Sequence, residues 1–436
     1  MTGGVHNITR IPELQRRILF TFGMLIVYRV GAHIVTPGIN PDVVRDFFSQ
    51  MSGTVFGLFN LFSGGALEQL SIFALGIMPY ISASIIFQLL TVVLPQLEQL
   101  QKEGDQGRKK ISQWTRYATV VLALFQSFLL SMALESGQFG QGAVLEPGWS
   151  FRIMTMITLT SGTAFIMWLG EQITERGIGN GISLVIFSGI VIGIPSALGQ
   201  VLELVRTDEF TLLGLILLAG FVVGVMGFVV FFERGQRRIP IQHARRVVGK
   251  RVTQGGMSYF PLRINTAGVI PPIFASSILM FPITVGQFTD SPRVQSFIQD
   301  YFAFGGWTYN LVYVAFIVFF SFFYTAIVIN PVDVAENIKR FGGYIPGIRP
   351  GKKTAEYIDR VLSRLTLVGA LYISVVCVLP VLLSNWANVP FYFGGTALLI
   401  AVGVSLDTIG QIESHLMSRQ YEGFVAGGRT RGRLGR

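Results

Sequence analysis

The chain has 436 residues, of which 51% are hydrophobic and only 13% charged, and its formal net charge is +10. Soluble globular domains carry about 25% charged residues, so this composition excludes a water-facing surface over most of the chain and indicates a membrane protein. At about 20 residues per helical crossing, the apolar residues suffice for about eight to eleven spans, and little is left over for a soluble domain. The single cysteine, Cys377, excludes a disulfide framework and a multi-thiolate metal site.

In chain order, the first apolar run, 18–35, follows the stretch M-T-G-G-V-H-N-I-T-R-I-P-E-L-Q-R-R. It is too long for a signal-peptide core and no small-residue cleavage site follows it, so it is expected to remain as the first span. Segment 54–70, T-V-F-G-L-F-N-L-F-S-G-G-A-L-E-Q-L, is only moderately apolar and is broken by Ser63, Gly64 and Gly65. Two readings fit it: a short helix resting on the interface, or a segment folded back among the helices. Further spans are predicted at 71–94, 117–135, 152–170, 182–201, 211–232, 267–288, 309–329, 366–384 and 391–410, which makes ten. The run 182–201 is the least regular, being interrupted by Gly189, Gly193 and Pro195.

An even number of spans puts both termini on one side, and the basic residues say which. Lys and Arg number 29 on the face that holds the termini and 4 on the other, with Arg29 inside the first span. That bias predicts cytoplasmic termini. Including the acids, the two faces carry +16 and −6, and Asp407 lies inside the last span. A charge at a helix centre costs about 2.5 to 3.5 kcal/mol on insertion scales, so Arg29 and Asp407 are expected to pair with each other or with backbone.

The second and seventh spans open on related sequences. G-I-M-P-Y-I-S-A-S (76–84) and G-V-I-P-P-I-F-A-S (268–276) agree at five of nine positions. They lie five spans apart, and an odd offset inverts the second copy, so two five-span halves are predicted, 1–206 and 207–412, followed by a basic tail, 413–436. Interrupted spans at matching places in an inverted repeat point to the functional site.

Two long loops lie on the basic face. Segment 233–266 holds eight basic residues and one acid, among them Arg237, Arg238, Arg245, Arg246, Lys250 and Arg251. Loose alternation of apolar and basic residues there predicts a projecting hairpin suited to acidic or phosphate-rich partners; orientation charge with anionic-lipid attraction is the other reading. Segment 330–365 has seven basic residues and four acids around the rigid turn P-G-I-R-P-G (346–351), which presents Arg349 as a protein-docking feature.

Catalytic chemistry has little to build on. His6, His33, His243 and His415 are scattered. G-I-R-P-G-K-K-T (347–354) fails the phosphate-loop spacing, and G-I-G-N-G (177–181) reads as a tight turn rather than a dinucleotide fingerprint. No metal or cofactor is expected, and no nucleophile and base constellation points to an enzyme.

Long stretches in eight places resemble the SecY/Sec61α protein-conducting channel family, in its bacterial form. They are F-N-L-F-S-G-G-A-L (59–67), A-L-G-I-M-P-Y-I-S-A-S-I (74–85), K-E-G-D-Q-G-R-K-K-I-S-Q-W-T-R-Y (102–117), M-W-L-G-E-Q-I-T-E-R-G-I-G-N-G-I-S (167–183), E-R-G-Q-R-R-I (233–239), A-G-V-I-P-P-I-F-A-S-S-I (267–278), P-G-I-R-P-G (346–351) and P-F-Y-F-G-G-T-A-L-L-I (390–400). The resemblance implies an all-α, ten-helix clamshell in two inverted five-helix halves, with a central pore that passes unfolded polypeptides and opens sideways to release membrane segments. It places a pore ring on Ile77, Ile81, Ile182, Ile186, Ile273 and Ile400. It places a plug on segment 54–70, including Phe59, Asn60, Leu61, Phe62, Ser63, Gly64 and Gly65, and lateral-gate residues at Ser82, Ser84, Gln88, Ser276 and Ser277.

The same resemblance implies ribosome docking through Arg237, Arg238, Arg245, Arg246, Lys250 and Arg251, and motor docking through Arg349, Lys352 and Lys353. It further implies SecE and SecG as partner subunits, the SecA ATPase as motor, signal peptides and nascent or precursor polypeptides as clients, and a location among the lipids of the plasma membrane. The alternative is a ten-span secondary transporter of small solutes, which would need polar or ionisable groups on its broken helices; the second and seventh spans have no Asp, Glu, Lys, Arg or His.

Overall fold

The computed structural model describes residues 11–50, 60, 63–137, 139–140, 142–207, 211–243, 246–248, 251–253, 256–287, 293, 296–297, 301, 306–387 and 395–431. In order, its elements begin with α1 (Pro12–Gly31), α2 (Pro41–Gln50), α3 (Met78–Val93), α4 (Pro95–Lys102), α5 (Asp105–Glu135), α6 (Trp149–Arg176), α7 (Gly181–Arg206) and α8 (Leu212–Arg234). Four strands follow, β1 (Gln236–His243), β2 (Arg246–Val248), β3 (Arg251–Thr253) and β4 (Met257–Arg263). The remainder is α9 (Ile270–Gln287), α10 (Trp307–Val328), α11 (Pro331–Arg340), β5 (Gly343–Tyr344), α12 (Lys352–Ala387) and α13 (Gly395–Arg431).

Each of the ten expected spans coincides with one of these helices: α1, α3, α5 to α10, α12 and α13. By length and composition, six helical stretches among the described residues suffice to cross a membrane, and α3 with α4 forms a seventh, bent by 99°. The apolar parts of α7 and α9, Gly181–Pro195 and Ile270–Leu279, are shorter. The chain divides into two compact units, Met1–Glu203 with Ile400–Arg436, and Leu204–Leu399.

In the first unit, α5 shows how a membrane helix is packed with little hydrophobic contrast. It buries Thr115, Thr119, Ala123, Ser127 and Ser131 at four-residue spacing and exposes Tyr117, Val121 and Phe125 on another face. Small residues let α6 approach closely, and the hydroxyls are satisfied within the helix. Thr119 donates to the Thr115 carbonyl at 2.7 Å and Ser131 to the Phe128 carbonyl at 2.7 Å. Ser127 also lies 3.5 Å from Thr160 of α6.

The second span begins later than its apolar run. Residues 63–77 form tight turns, and α3 starts only at Met78. Gly76 has φ +56° and Gly268 has φ +63°, each two residues before the first residue of its helix, α3 or α9. Both positions lie in the left-handed region that an L side chain rarely adopts. The sequence repeat is therefore a repeat of local backbone conformation as well.

In the second unit, β1 pairs antiparallel with β4 over Gln236–Gln242, and β2 with β3, giving the expected hairpin. β1 also pairs with β5, Gln242 opposite Tyr344 and His243 opposite Gly343. The two long loops thus share one sheet, in the order β4-β1-β5. Ile239 and Leu262 from the hairpin, Ile345 from the second loop, and Ile358, Val361 and Leu362 from α12 form one buried cluster. Truncating Leu262, which is fully buried, removes packing from all three elements. Leu262→Ala should destabilise this platform by about 2 to 5 kcal/mol. Limited proteolysis of the solubilised protein should then cut within 236–263 faster than in the parent chain; an unchanged rate would mean that the cluster does not hold the loops.

Candidate functional site

Of the helices expected to line a pore, α3 with its cap and α7 each carry two of the ring isoleucines one turn apart, and α9 and α13 carry one each. Ile77 caps α3 and Ile81 lies in its first turn, the Ile81 N–H donating to the Ile77 carbonyl at 3.1 Å. Both side chains are buried. On α7, Ile182 is half-buried and Ile186 buried, and Ile400 near the start of α13 is buried. These five fall in the first unit, while the half-buried Ile273 of α9 falls in the second.

Two serines of α9 turn their hydroxyls to their own backbone. Ser276 and Ser277 both donate to the Ile273 carbonyl, at 2.9 and 2.8 Å. Gln88 donates to Ser84 Oγ at 3.3 Å, and its buried Oε1 has no partner among the described residues. Ser82 is half-buried. No Asp, Glu, Lys or Arg occurs over 78–93, 181–202, 270–287 or 395–406, so these parts of the four helices carry no formal charge.

Of the plug assignment, Phe59, Leu61 and Phe62 lie outside the described residues, while Asn60, Ser63, Gly64 and Gly65 are within them. The stem that follows is buried at Ser63, Ala66, Leu67 and Leu70. Of the two readings of this segment, the described part is folded in among the helices. It is braced internally: Asn60 accepts from the Gly65 N–H at 2.8 Å and, through Oδ1, from the Glu68 N–H at 3.0 Å.

Arg29 finds the backbone partner expected of it: its Nη1 donates to the Gly64 carbonyl at 2.8 Å. Beside it the Tyr28 hydroxyl donates to the Ser63 carbonyl at 2.9 Å. Sequence reasoning had no signal for these contacts, which join residues 35 positions apart. The G-I-G-N-G turn is likewise tied from three helices. Thr21 of α1 accepts from the Ile178 N–H at 3.1 Å, Gln411 of α13 from Gly179 at 2.9 Å, and Thr174 of α6 from Gly181 at 2.9 Å.

On the platform, Arg237 and Arg238 are exposed on β1, opposite Leu262 and Pro261 of β4. Arg246 lies on β2 and Arg251 on β3, while Arg245 and Lys250 lie outside the described residues. Arg349 is exposed on its turn, which the Thr354 hydroxyl braces by donating to the Arg349 carbonyl at 2.9 Å. Lys352 and Lys353 open α12, both exposed. Lys353 donates to Glu356 at 2.9 Å and holds that carboxyl below the usual carboxylate range.

A family model described as SecY matches residues 71–409. The protein translocase subunit SecY of Pseudomonas aeruginosa is 53% identical over 418 residues, covering 95% of this chain and 94% of that protein. Among solved structures, one of SecY whose plug domain stabilises the closed state of the translocation channel and maintains a membrane seal superposes with a TM-score of 0.66 at 17% identity, covering 93% of both chains. Sec61 in the canine ribosome-channel complex from the endoplasmic reticulum gives 0.64 at 16% identity, again over 93% of both chains. At such identities the structures establish a common fold, and the sequence relative establishes kinship: the chain belongs to the SecY family.

Proposed function

We propose that this chain is the pore-forming subunit of a protein translocase, passing unfolded secretory polypeptides across the membrane and releasing apolar segments sideways into it. The observation that carries the reading is the uncharged wall on α3, α7, α9 and α13. A channel for unfolded chains must let every side chain pass, and fixed charges would hold some and repel others. A small-solute transporter has the opposite requirement, ionisable or polar coordinating groups on its broken helices, and none of these four stretches supplies a charge.

The same wall must stop ions at rest. In our reading Ile77, Ile81, Ile182, Ile186, Ile273 and Ile400 form a constriction that excludes water, and segment 54–70 reinforces it as a plug. Apolar segments of about 20 residues leave between α3 and α9, near Ser82, Ser84, Gln88, Ser276 and Ser277, because burial in lipid is favourable for them. The halves 1–206 and 207–412 act as the two sides of that opening. With no phosphate loop in the sequence, the work comes from a docked ribosome or a SecA-type motor. Arg237 and Arg238 on β1 serve the ribosome, with Arg245, Arg246, Lys250 and Arg251 further along the hairpin. Arg349, Lys352 and Lys353 serve the motor. SecE and SecG are the expected partner subunits, the plasma membrane the location, and the basic face with both termini the cytoplasmic side.

Replacing Ile81 or Ile273 by Ser, or deleting 57–68, should raise the resting ion conductance of the channel in planar bilayers. Conductance equal to the parent in all three would remove the ring and plug assignments. Arg349→Glu should reduce motor-driven translocation at least tenfold while ribosome binding, measured by co-sedimentation, falls less than about twofold, as expected when one exposed charge is lost from a separate contact. Equal loss of both would contradict distinct docking sites.

A further inference from the structure

We propose that Tyr28 and Arg29 are positioning residues that latch the stem of segment 54–70 at Ser63 and Gly64 in the resting channel. The inference rests on the plug reading above.

Two consecutive residues of α1 donate to two consecutive carbonyls of the stem, at 2.9 and 2.8 Å. Neighbouring side chains on a helix point about 100° apart, so both reach only if the two carbonyls diverge. The glycines provide that divergence: Gly64 has φ +66° and Gly65 φ +82°. Gly64 also fits closely against α7, where an added Cβ would lie 2.9 Å from the Cα of Gly189. Gly189 follows Ile186 by three residues on that helix, so the stem is seated between the latch on α1 and a helix assigned to the ring.

Most of the stem's other bonds are of two kinds. Internal ones make it a unit: Gly65 N–H to the Asn60 carbonyl at 2.8 Å, Ser63 Oγ to the same carbonyl at 3.0 Å, and Asn60 Nδ2 to Glu68 at 3.0 Å. At its far end a backbone bridge fastens it, Thr36 N–H to the Leu70 carbonyl at 2.9 Å and Ile72 N–H to the Ile34 carbonyl at 2.8 Å. Two exposed side-chain contacts also reach it and contribute little: Arg45 of α2 approaches Glu68 at 3.7 Å, and His33 Nδ1 lies 3.2 Å from Gln69 Oε1. Among the described residues, the side-chain ties from α1 to this braced stem that lie away from open solvent are therefore those of Tyr28, buried, and Arg29, part-buried. Water entering beside the stem competes for the same donors and carbonyls, so the tie weakens as the pore wets.

The test is resting open probability in planar bilayers for the assembled channel carrying Tyr28→Phe, Arg29→Lys or Arg29→Ala, with deletion of 57–68 as reference and thermal stability measured in parallel. Tyr28→Phe should raise open probability about threefold and Arg29→Ala about tenfold, the losses expected for a neutral and a charge-assisted bond. Arg29→Lys, which keeps a cationic donor, should leak less than Arg29→Ala, and Arg29→Ala should add nothing in the deletion background. If the deletion leaks while Tyr28→Phe and Arg29→Ala match the parent, or lose only thermal stability, the latch is wrong and the plug stands. If Arg29→Ala leaks equally in the deletion background, Arg29 acts elsewhere and the latch is again wrong. If the deletion does not leak, the plug reading and the latch fall together.

Discussion

Keeping charge out of four helices is the constraint around which the rest of this chain is arranged. Over 78–93, 181–202, 270–287 and 395–406 no Asp, Glu, Lys, Arg or His occurs, although the chain as a whole carries 34 basic and 24 acidic residues. Some of the hydrogen-bonding capacity on those stretches is consumed at home. Ser276 and Ser277 both spend their hydroxyls on the Ile273 carbonyl. In the proposed channel, stretches without charge would hold no particular side chain and offer ions nothing to replace their hydration.

The displaced charge is gathered on a platform with its own core. Ile239, Leu262, Ile345, Ile358, Val361 and Leu362 bring the hairpin, the second loop and the base of α12 into one cluster. Pairing of β1 with β5 makes the two loops parts of one sheet. Arg238 and Ile239 are neighbours on β1, the first exposed and the second buried, so the same strand anchors the core and presents charge. Two loops that look independent along the chain are therefore held by common packing, and a partner seated on one meets a support shared with the other.

Features carried by local periodicity or composition were legible in the amino-acid sequence. The ten apolar runs match ten helices, and the alternation in 233–266 matches strands. The repeat at Gly76 and Gly268 reappears as matching backbone conformation. Boundaries were less legible where a helix outruns its apolar stretch. α5 starts at Asp105 and α12 at Lys352, because charged residues there are good helix formers that hydropathy does not register. Conversely α3 starts only at Met78, since the left-handed Gly76 interrupts a run that is apolar throughout. Contacts between distant residues left no local trace. The β1–β5 pairing and the bonds from Tyr28 and Arg29 to Ser63 and Gly64 depend on how the chain is folded back, and composition alone marked Arg29 only as a charge in need of a partner.

The central claim, an uncharged wall that passes whole polypeptides, is tested most directly by reconstitution. The chain would be placed in proteoliposomes with its SecE-type and SecG-type partners and given a secretory precursor, a SecA-type motor and ATP. The account predicts that the precursor becomes resistant to external protease, that resistance requires ATP, and that it is lost when the vesicles are dissolved. A precursor that stays fully digestible while the motor binds the vesicles and hydrolyses ATP would contradict it.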